Sequence, residues 1–295
     1  MLEALTLFHR WLALIVSVVV LVLALTGSAL VFEGAMDRAL NPRLWHVTPS
    51  GAPRSLDTLL ARARGAVSSP VTGLTLPRED DRALVAQAGA RQVFVDPFTG
   101  AVLGTRQLAD YNSSLPRRLH VLHVSLVGGS IGGTIVGVVT VSCLLLVLTG
   151  IVLWWPDRIA RVRWGASWKR VVFDLHHLLG IVAAVILVVI TASGTMIHYE
   201  SLGRVLQGER VKSPVVTGGG GLGVVSVDSA LSLARAALPG ARPTLVSFPA
   251  KDDQPLAVGM RYPEDRTPGG RSRVYVDAHR GVVLRADGTR GLPAG

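Results

Sequence analysis

Three uninterrupted apolar runs limit what this chain can fold into more than any other feature. A helix needs about 20 apolar residues to cross roughly 30 Å of hydrocarbon, and three segments have that length. The first runs from Trp11 to Phe32 with no charge between Arg10 and Glu33; the second runs from Ile131 to Trp155 and is closed by Pro156; the third runs from Leu178 to Ile197. The first exceeds the usual signal-peptide core of about 7–15 residues and no A-x-A site follows it, so it reads as an uncleaved anchor. Of the 295 residues 49% are hydrophobic and 17% charged, and the apolar excess is concentrated in these runs. The remaining long segments are polar enough to fold in water. The expected fold class is an α+β membrane protein.

The short loop sets the orientation. Between Asp157 and Val171 stand Arg158, Arg161, Arg163, Lys169 and Arg170 against one acid, and short basic loops stay in the cytoplasm. That predicts a cytoplasmic N-terminus, with residues 34–116 and everything after Tyr199 outside. Trp154 and Trp155 then lie at the inner interface. The outer segments are Arg-rich as well, but long domains translocate largely regardless of charge. The net charge of +10 therefore points to membrane lipid as a partner, and the absence of any nucleic-acid-binding motif argues against nucleic acid. A single cysteine, Cys143, excludes an internal disulfide, CxxCH haem attachment and cysteine-rich metal sites.

An internal duplication organises the chain. His9-Arg-Trp-Leu leads into an apolar run ending Thr26-Gly27, and His176-His-Leu-Leu leads into one ending Ser193-Gly194; in both, histidine precedes glycine by 18 positions. The soluble parts repeat too. Ser55-Leu-Asp and Ser226-Val-Asp each open a short amphipathic helix with a capping serine. Val93-Phe-Val-Asp96-Pro-Phe-Thr-Gly and Val274-Tyr-Val-Asp277-Ala-His-Arg-Gly read as β-hairpins. Each soluble repeat is thus a helix followed by a small antiparallel sheet. The expected order is a helix over 1–33, a first soluble domain over 34–116, a second span with an outer extension over 117–156, a basic loop over 157–171, a third span over 172–199 and a second soluble domain over 200–295. The duplication predicts a fourth span after Gly295. Gly218–Gly221 reads as a linker rather than a phosphate loop, because no lysine-bearing helix follows it.

These marks together resemble the PepSY-associated transmembrane proteins, which include bacterial inner-membrane ferric-siderophore reductases. The resemblance rests on His9-Arg-Trp-Leu with Thr26-Gly27; on Leu122-His123 with Gly129, Gly133 and Thr149-Gly150 before Trp154-Trp155-Pro156; and on Asp174-Leu-His176 with Gly180 and Gly194. The hairpins at Asp96 and Asp277 look like PepSY signatures. The resemblance covers nearly the whole chain. It implies extracytoplasmic PepSY domains, a four-span bundle of which this chain contains three spans, b-type haem, and electrons moving outward to a ferric siderophore or other ferric chelate.

Six of the eight histidines lie at or near span ends: His9, His120, His123, His176, His177 and His198. Polar groups at membrane depth are costly and face the bundle interior, and bis-histidine ligation closes both axial positions of a haem, which suits electron transfer. Sidedness sorts the set into His9, His176 and His177 at the cytoplasmic end and His120, His123 and His198 at the outer end. His176 and His198 are 22 residues apart, about 33 Å along a helix and within about 40° in azimuth, so one helix face could serve two haems. The expected inner haem lies between His9 and His176, and an outer one between His123 and His198. His123 precedes the apolar core of its span by eight residues, and the Gly128–Gly133 stretch is expected to bend the helix there or to admit a close neighbour. His46 and His279 read as surface residues of the soluble segments.

The leading functional expectation is an oxidoreductase that reduces a ferric chelate outside the inner membrane. With no flavin or nicotinamide fingerprint, its electrons come from a quinol or a donor protein. The alternative is a non-enzymatic PepSY protein that binds or regulates a peptidase. Outer-face arginines could attract an anionic chelate, but the sequence does not single out which.

Overall fold

The computed structural model describes residues 1–156, 158, 161–199, 213–216 and 225–290. The expected linker at Gly218–Gly221, the loop acid Asp157 and the terminal Leu292-Pro293 lie outside the described residues. In chain order the helices are α1 (Leu2–Leu30), α2 (Glu33–Leu40), α3 (Pro42–Trp45), α4 (Leu56–Gly65), α5 (Leu108–Asn112), α6 (Leu115–Ser125), α7 (Gly129–Trp154), α8 (Trp168–His198) and α9 (Val227–Ala237). The strands are β1 (Val71–Thr75), β2 (Leu84–Ala88), β3 (Arg91–Val95), β4 (Val102–Gln107), β5 (Arg242–Ser247), β6 (Leu256–Arg261), β7 (Ser272–Asp277) and β8 (Val282–Asp287). They form two compact units, one containing α1, α6, α7 and α8 and the other α2 to α5, α9 and all the strands.

The first unit is a helical bundle. α1, α7 and α8 are each long and apolar enough to cross a membrane, with mean hydropathy of 2.6, 2.7 and 2.5 over their most apolar windows. Only 11%, 22% and 6% of those windows is buried inside the protein. Apolar surface on that scale has to be met by lipid, and the helical backbone satisfies its own polar groups there. α7 packs against both α1 and α8. The expected extension of the second span is a separate helix, α6, which packs against α1 and α7. The break falls at Leu126 and Val127, which both adopt left-handed backbone at φ 48° and 62°. That conformation is uncommon for any side chain, and an outlier for a β-branched one. Gly132 permits the corner, because a Cβ there would collide with the Ser125 carbonyl.

The second unit is built on one antiparallel sheet in the order β4-β3-β2-β1-β5-β6-β7-β8. The two soluble repeats share this sheet: β1 of the first pairs with β5 of the second through Gly73 with Ser247, Leu74 with Val246 and Thr75 with Leu245. Each repeat alone would leave a long unpaired strand edge, and joining the two edges removes both. α4 and α9 cover one face, and a single apolar core runs through both repeats, with Leu59, Leu74 and Leu84 from one and Leu231, Leu256 and Val274 from the other. The serine caps form as expected, Ser55 accepting from the Thr58 N–H and Ser226 from the Ser229 N–H. So do the hairpin turns: Asp96 accepts from the N–H of Phe98 and Asp277 from that of His279, ahead of Gly100 and Gly281 at positive φ.

Two acids tie this unit together. Asp57, in the first turn of α4, accepts from the backbone N–H groups of Val227 and Asp228; Asp228, in the first turn of α9, accepts from those of Leu56 and Asp57. Each helix start is thereby capped by the other repeat's aspartate, which also complements the helix dipole. On the sheet's other face, Arg106 donates to Asp37 at 2.7 Å and to Gln92 at 2.8 Å, and Trp45 and Asn41 also donate to Asp37. The Arg106 guanidinium lies over Phe94 and Tyr111.

Two outcomes follow. The Arg106 and Asp37 side chains are only 9% and 7% exposed, so Asp37→Ala leaves a buried cation uncompensated and destabilises the fold by about 3–5 kcal/mol, measurable by unfolding of the full chain in detergent. For Asp57, burial raises the carboxyl pKa, but hydrogen bonding to Asp228 and Val227 outweighs it and holds the group below its ordinary value of 3.8. A folded-state pKa below the unfolded one gives stability that is present above the unfolded value and lost as pH falls through the folded one. Stability therefore declines as pH drops below about 4, and Asp57→Asn flattens that decline.

Candidate functional site

The histidines collect at the two ends of α7. At the end carrying Trp154, His9 of α1 and His176 of α8 come together with ring centroids 6.4 Å apart and planes at 70°. His9 Nδ1 lies 2.9 Å from the Thr149 hydroxyl of α7, and a Cβ on Gly150 would meet its ring at 3.4 Å. His177 stands next along α8, its ring 4.2 Å from that of Phe173. At the other end, the α6–α7 corner delivers His123 onto α1, where its Nδ1 lies 3.0 Å from the Thr26 hydroxyl. His198, at the end of α8, packs on Gly137 of α7. Gly137 and Gly150 are 13 residues apart, which separates the two clusters by about 20 Å along the helix.

The pairs anticipated from the sequence fare differently. His9 and His176 are in ring contact. His123 and His198 lie at the same end of the bundle without ring contact, one held on α1 and the other on α7. His120 sits one turn before His123 on α6. His46 is largely exposed and pairs with Asp81 at 3.6 Å, as a surface residue should, and His279 lies in the Asp277 turn.

The separation of the first pair is compatible with a shared metal. Two imidazoles bound to one ion at an ordinary metal–nitrogen bond of about 2 Å have ring centroids about 6 Å apart, close to the 6.4 Å between His9 and His176. Neutral imidazole is the ligating form, and its second nitrogen normally donates to a neighbouring acceptor, as the Thr149 contact allows.

Sequence reasoning did not reach the threonine partners, although Thr26-Gly27 and Thr149-Gly150 stand out as repeated dipeptides. Nor did it find the fastening of the basic loop. Asp174 of α8 is fully buried and accepts from Arg163 through Nε and Nη2, both at 2.9 Å, and from the Arg163 backbone N–H; Arg170 pairs with it at 3.0 Å. Two of the loop's five cations are thus committed to an acid two residues before His176.

The sheet unit by itself carries a shallow cleft of about 350 Å³. Thr75, Leu245, Gly259 and Arg273 form a cross-strand row along it, on the face opposite α4 and α9, and Arg78 and Arg271 complete its rim. None of these three arginines has an ion-pair partner among the described residues.

A bundle of membrane-crossing helices with histidines clustered at both ends, carried with a separate antiparallel sheet unit, defines an α+β membrane protein. Residues 6–215 match the family described as PepSY-associated TM region, and the chain belongs to that family. Comparison with curated proteins gave no match.

The glycines give a test of this packing. A Cβ on Gly27 would lie 2.9 Å from His123 Cε1, so Gly27→Ala displaces the ring from Thr26 and costs about 1 kcal/mol, the worth of one hydrogen bond. Gly150→Ala meets His9 at ordinary contact distance and leaves it in place. Histidine side-chain NMR with thermal unfolding distinguishes the two variants.

Proposed function

We propose that the protein is a haem-b electron-transfer protein of the bacterial inner membrane, passing electrons outward to a ferric chelate such as a ferric siderophore. The observation that carries this reading is the approach of His9 to His176 at metal-sharing distance across two helices. His9 and His176 would hold the inner haem, and His123 and His198 the outer one. Bound in these places, haem would supply one-electron transfer. The chain's own part is to fix four neutral imidazoles, to keep the sites dry and to space them along α7. A quinol or a donor protein would supply electrons at the inner end. The N-terminus and the Arg158–Arg170 loop face the cytoplasm in this reading, because the loop keeps Arg158, Arg161 and Lys169 beyond those fastened to Asp174. The sheet unit is then periplasmic.

The acceptor is anionic, and Arg78, Arg271 and Arg273 offer it unpaired guanidiniums. These suit carboxylate or hydroxamate oxygens on a chelate's surface. Ferrous iron is held less tightly than ferric iron by hard oxygen donors, so one electron loosens the chelate.

Reduced-minus-oxidised spectra of the full chain, purified in detergent after expression with haem supplied, test the reading. A low-spin b-type spectrum is expected, with the inner contribution lost in His9→Ala and in His176→Ala. A colourless wild-type preparation, or full haem content in both variants, would overturn it.

A further inference from the structure

Hydroxyls are common in the three spanning helices, and most do the same thing. Ser28, Thr134, Thr140, Ser142, Thr191 and Thr195 each donate to the carbonyl four residues back on their own helix. Such back-bonding satisfies a hydroxyl in an apolar setting and says nothing of function. Thr26 and Thr149 also back-bond, to Val22 at 2.7 Å and to Leu145 at 2.8 Å. Among the described residues, they alone of the spanning-helix hydroxyls reach an imidazole of another helix as well.

That double contact fixes a proton. A hydroxyl carries one hydrogen, and a carbonyl can only accept. If the threonine gave its proton to the ring, two oxygen lone pairs would face each other at 2.7 or 2.8 Å. With the proton on the carbonyl side, both contacts are bonds only when the ring's Nδ1 carries a hydrogen and donates it to the threonine oxygen. His9 and His123 are then both Nδ1–H tautomers, with Nε2 as the lone-pair nitrogen; the His123 ring also reaches the Leu23 carbonyl, an acceptor beside Thr26. Gly27, after Thr26, leaves the space into which the His123 ring sits, and the His9 ring lies beside Gly150 at ordinary contact distance. α1 gives His9 to the Thr149 niche of α7 and receives His123 of α6 in its own Thr26 niche. No hydroxyl hydrogen bond to His176 or His198 is found among the described residues.

We infer that Thr149 and Thr26 are positioning residues, which hold His9 and His123 in the tautomer that presents Nε2 to iron and make those two imidazoles the stronger donors. The inference rests on the haem reading above. Donation of Nδ1–H to an acceptor raises the basicity of the ligating nitrogen, so each threonine favours the ferric state of the haem bound by its histidine. One ligand of each pair is tuned this way and the other is not.

The test compares Thr149→Val, Thr149→Ala and Thr149→Ser, with the same set at Thr26, in the full-length protein loaded with haem. Valine keeps the shape and removes the acceptor; alanine removes it without adding bulk; serine restores it. Removal should weaken haem retention by roughly 10-fold or more and move the midpoint potential of one haem upward. Thr149 variants should affect the inner haem and Thr26 variants the outer, and serine should return both readouts to the wild-type values. If a valine variant does not fold, the alanine and serine pair gives the same comparison. Wild-type retention and potential in the valine and alanine variants, with haem lost in His9→Ala, would overturn the positioning role and leave the haem reading standing. Full haem content in both His9→Ala and His176→Ala would instead remove the haem reading.

Discussion

An imidazole at membrane depth has two ring nitrogens, and hydrocarbon offers a partner to neither. The helical unit is arranged around that constraint. His9 and His123 each have one nitrogen engaged by a threonine on another helix, and Gly27 beside Thr26 leaves room for the His123 ring. The price of burying a polar ring is met by one directed bond, and the same bond chooses which nitrogen is left bare. Asp174 obeys the same constraint: fully buried, it is satisfied by a bidentate arginine, a backbone N–H and a second cation.

The sheet unit solves a different problem, that of strand edges. β1 and β5 meet edge to edge and carry the core across both repeats, while Asp57 and Asp228 cap each other's helices over the join. The duplication survives as near-symmetry on the helical face and breaks on the other. There, the first repeat is covered by Leu44 and Trp45 of α3, packed on Phe94, with Arg106 and Asp37 beneath. Elsewhere on that face, across β1 and β5 to β7, lies an open cleft rimmed by Arg78, Arg271 and Arg273. One face of the sheet is therefore half closed and half basic.

Much of this was legible in the sequence because the signals are local. Apolar length marked the spans, serine and aspartate marked the starts of α4 and α9, and Asp-x-x-x-Gly marked both hairpins. What stayed hidden depends on which segments meet. Nothing in Val71–Thr75 or Arg242–Ser247 announces that these strands pair with each other, since a strand edge has no composition of its own. The separate α6 was hidden because Leu126 and Val127 are poor choices for a left-handed corner; only the surrounding glycines hinted at it. Asp37 and Arg106 lie 69 positions apart and look like ordinary surface charges. Thr26 and Thr149 were visible as repeated dipeptides, but back-bonding explains a membrane threonine well enough that a second contact is not expected.

The two histidine contacts of α1, one made to α7 through His9 and one received from α6 through His123, also constrain how the bundle can move. Sliding α1 along α7 by one residue shifts it about 1.5 Å, and keeping a ridge in its groove then requires a turn of about 100°. His9 sits near the start of α1 and Thr26 near its end, so a shift of α1 against α6 and α7 together breaks both niches at once. A single contact would tolerate a tilt about itself; two contacts at opposite ends of α1 do not. His176 has ring contacts with His9 and His177 at that end, and Asp174, two residues earlier, is fastened through Arg163 to the loop preceding α8. The spacing between His9 and His176 is thus set by two separate anchors, a hydrogen bond into α7 and an ion pair into the loop. On the haem reading proposed above, the two ligands of the inner pair are thereby held in place independently of each other.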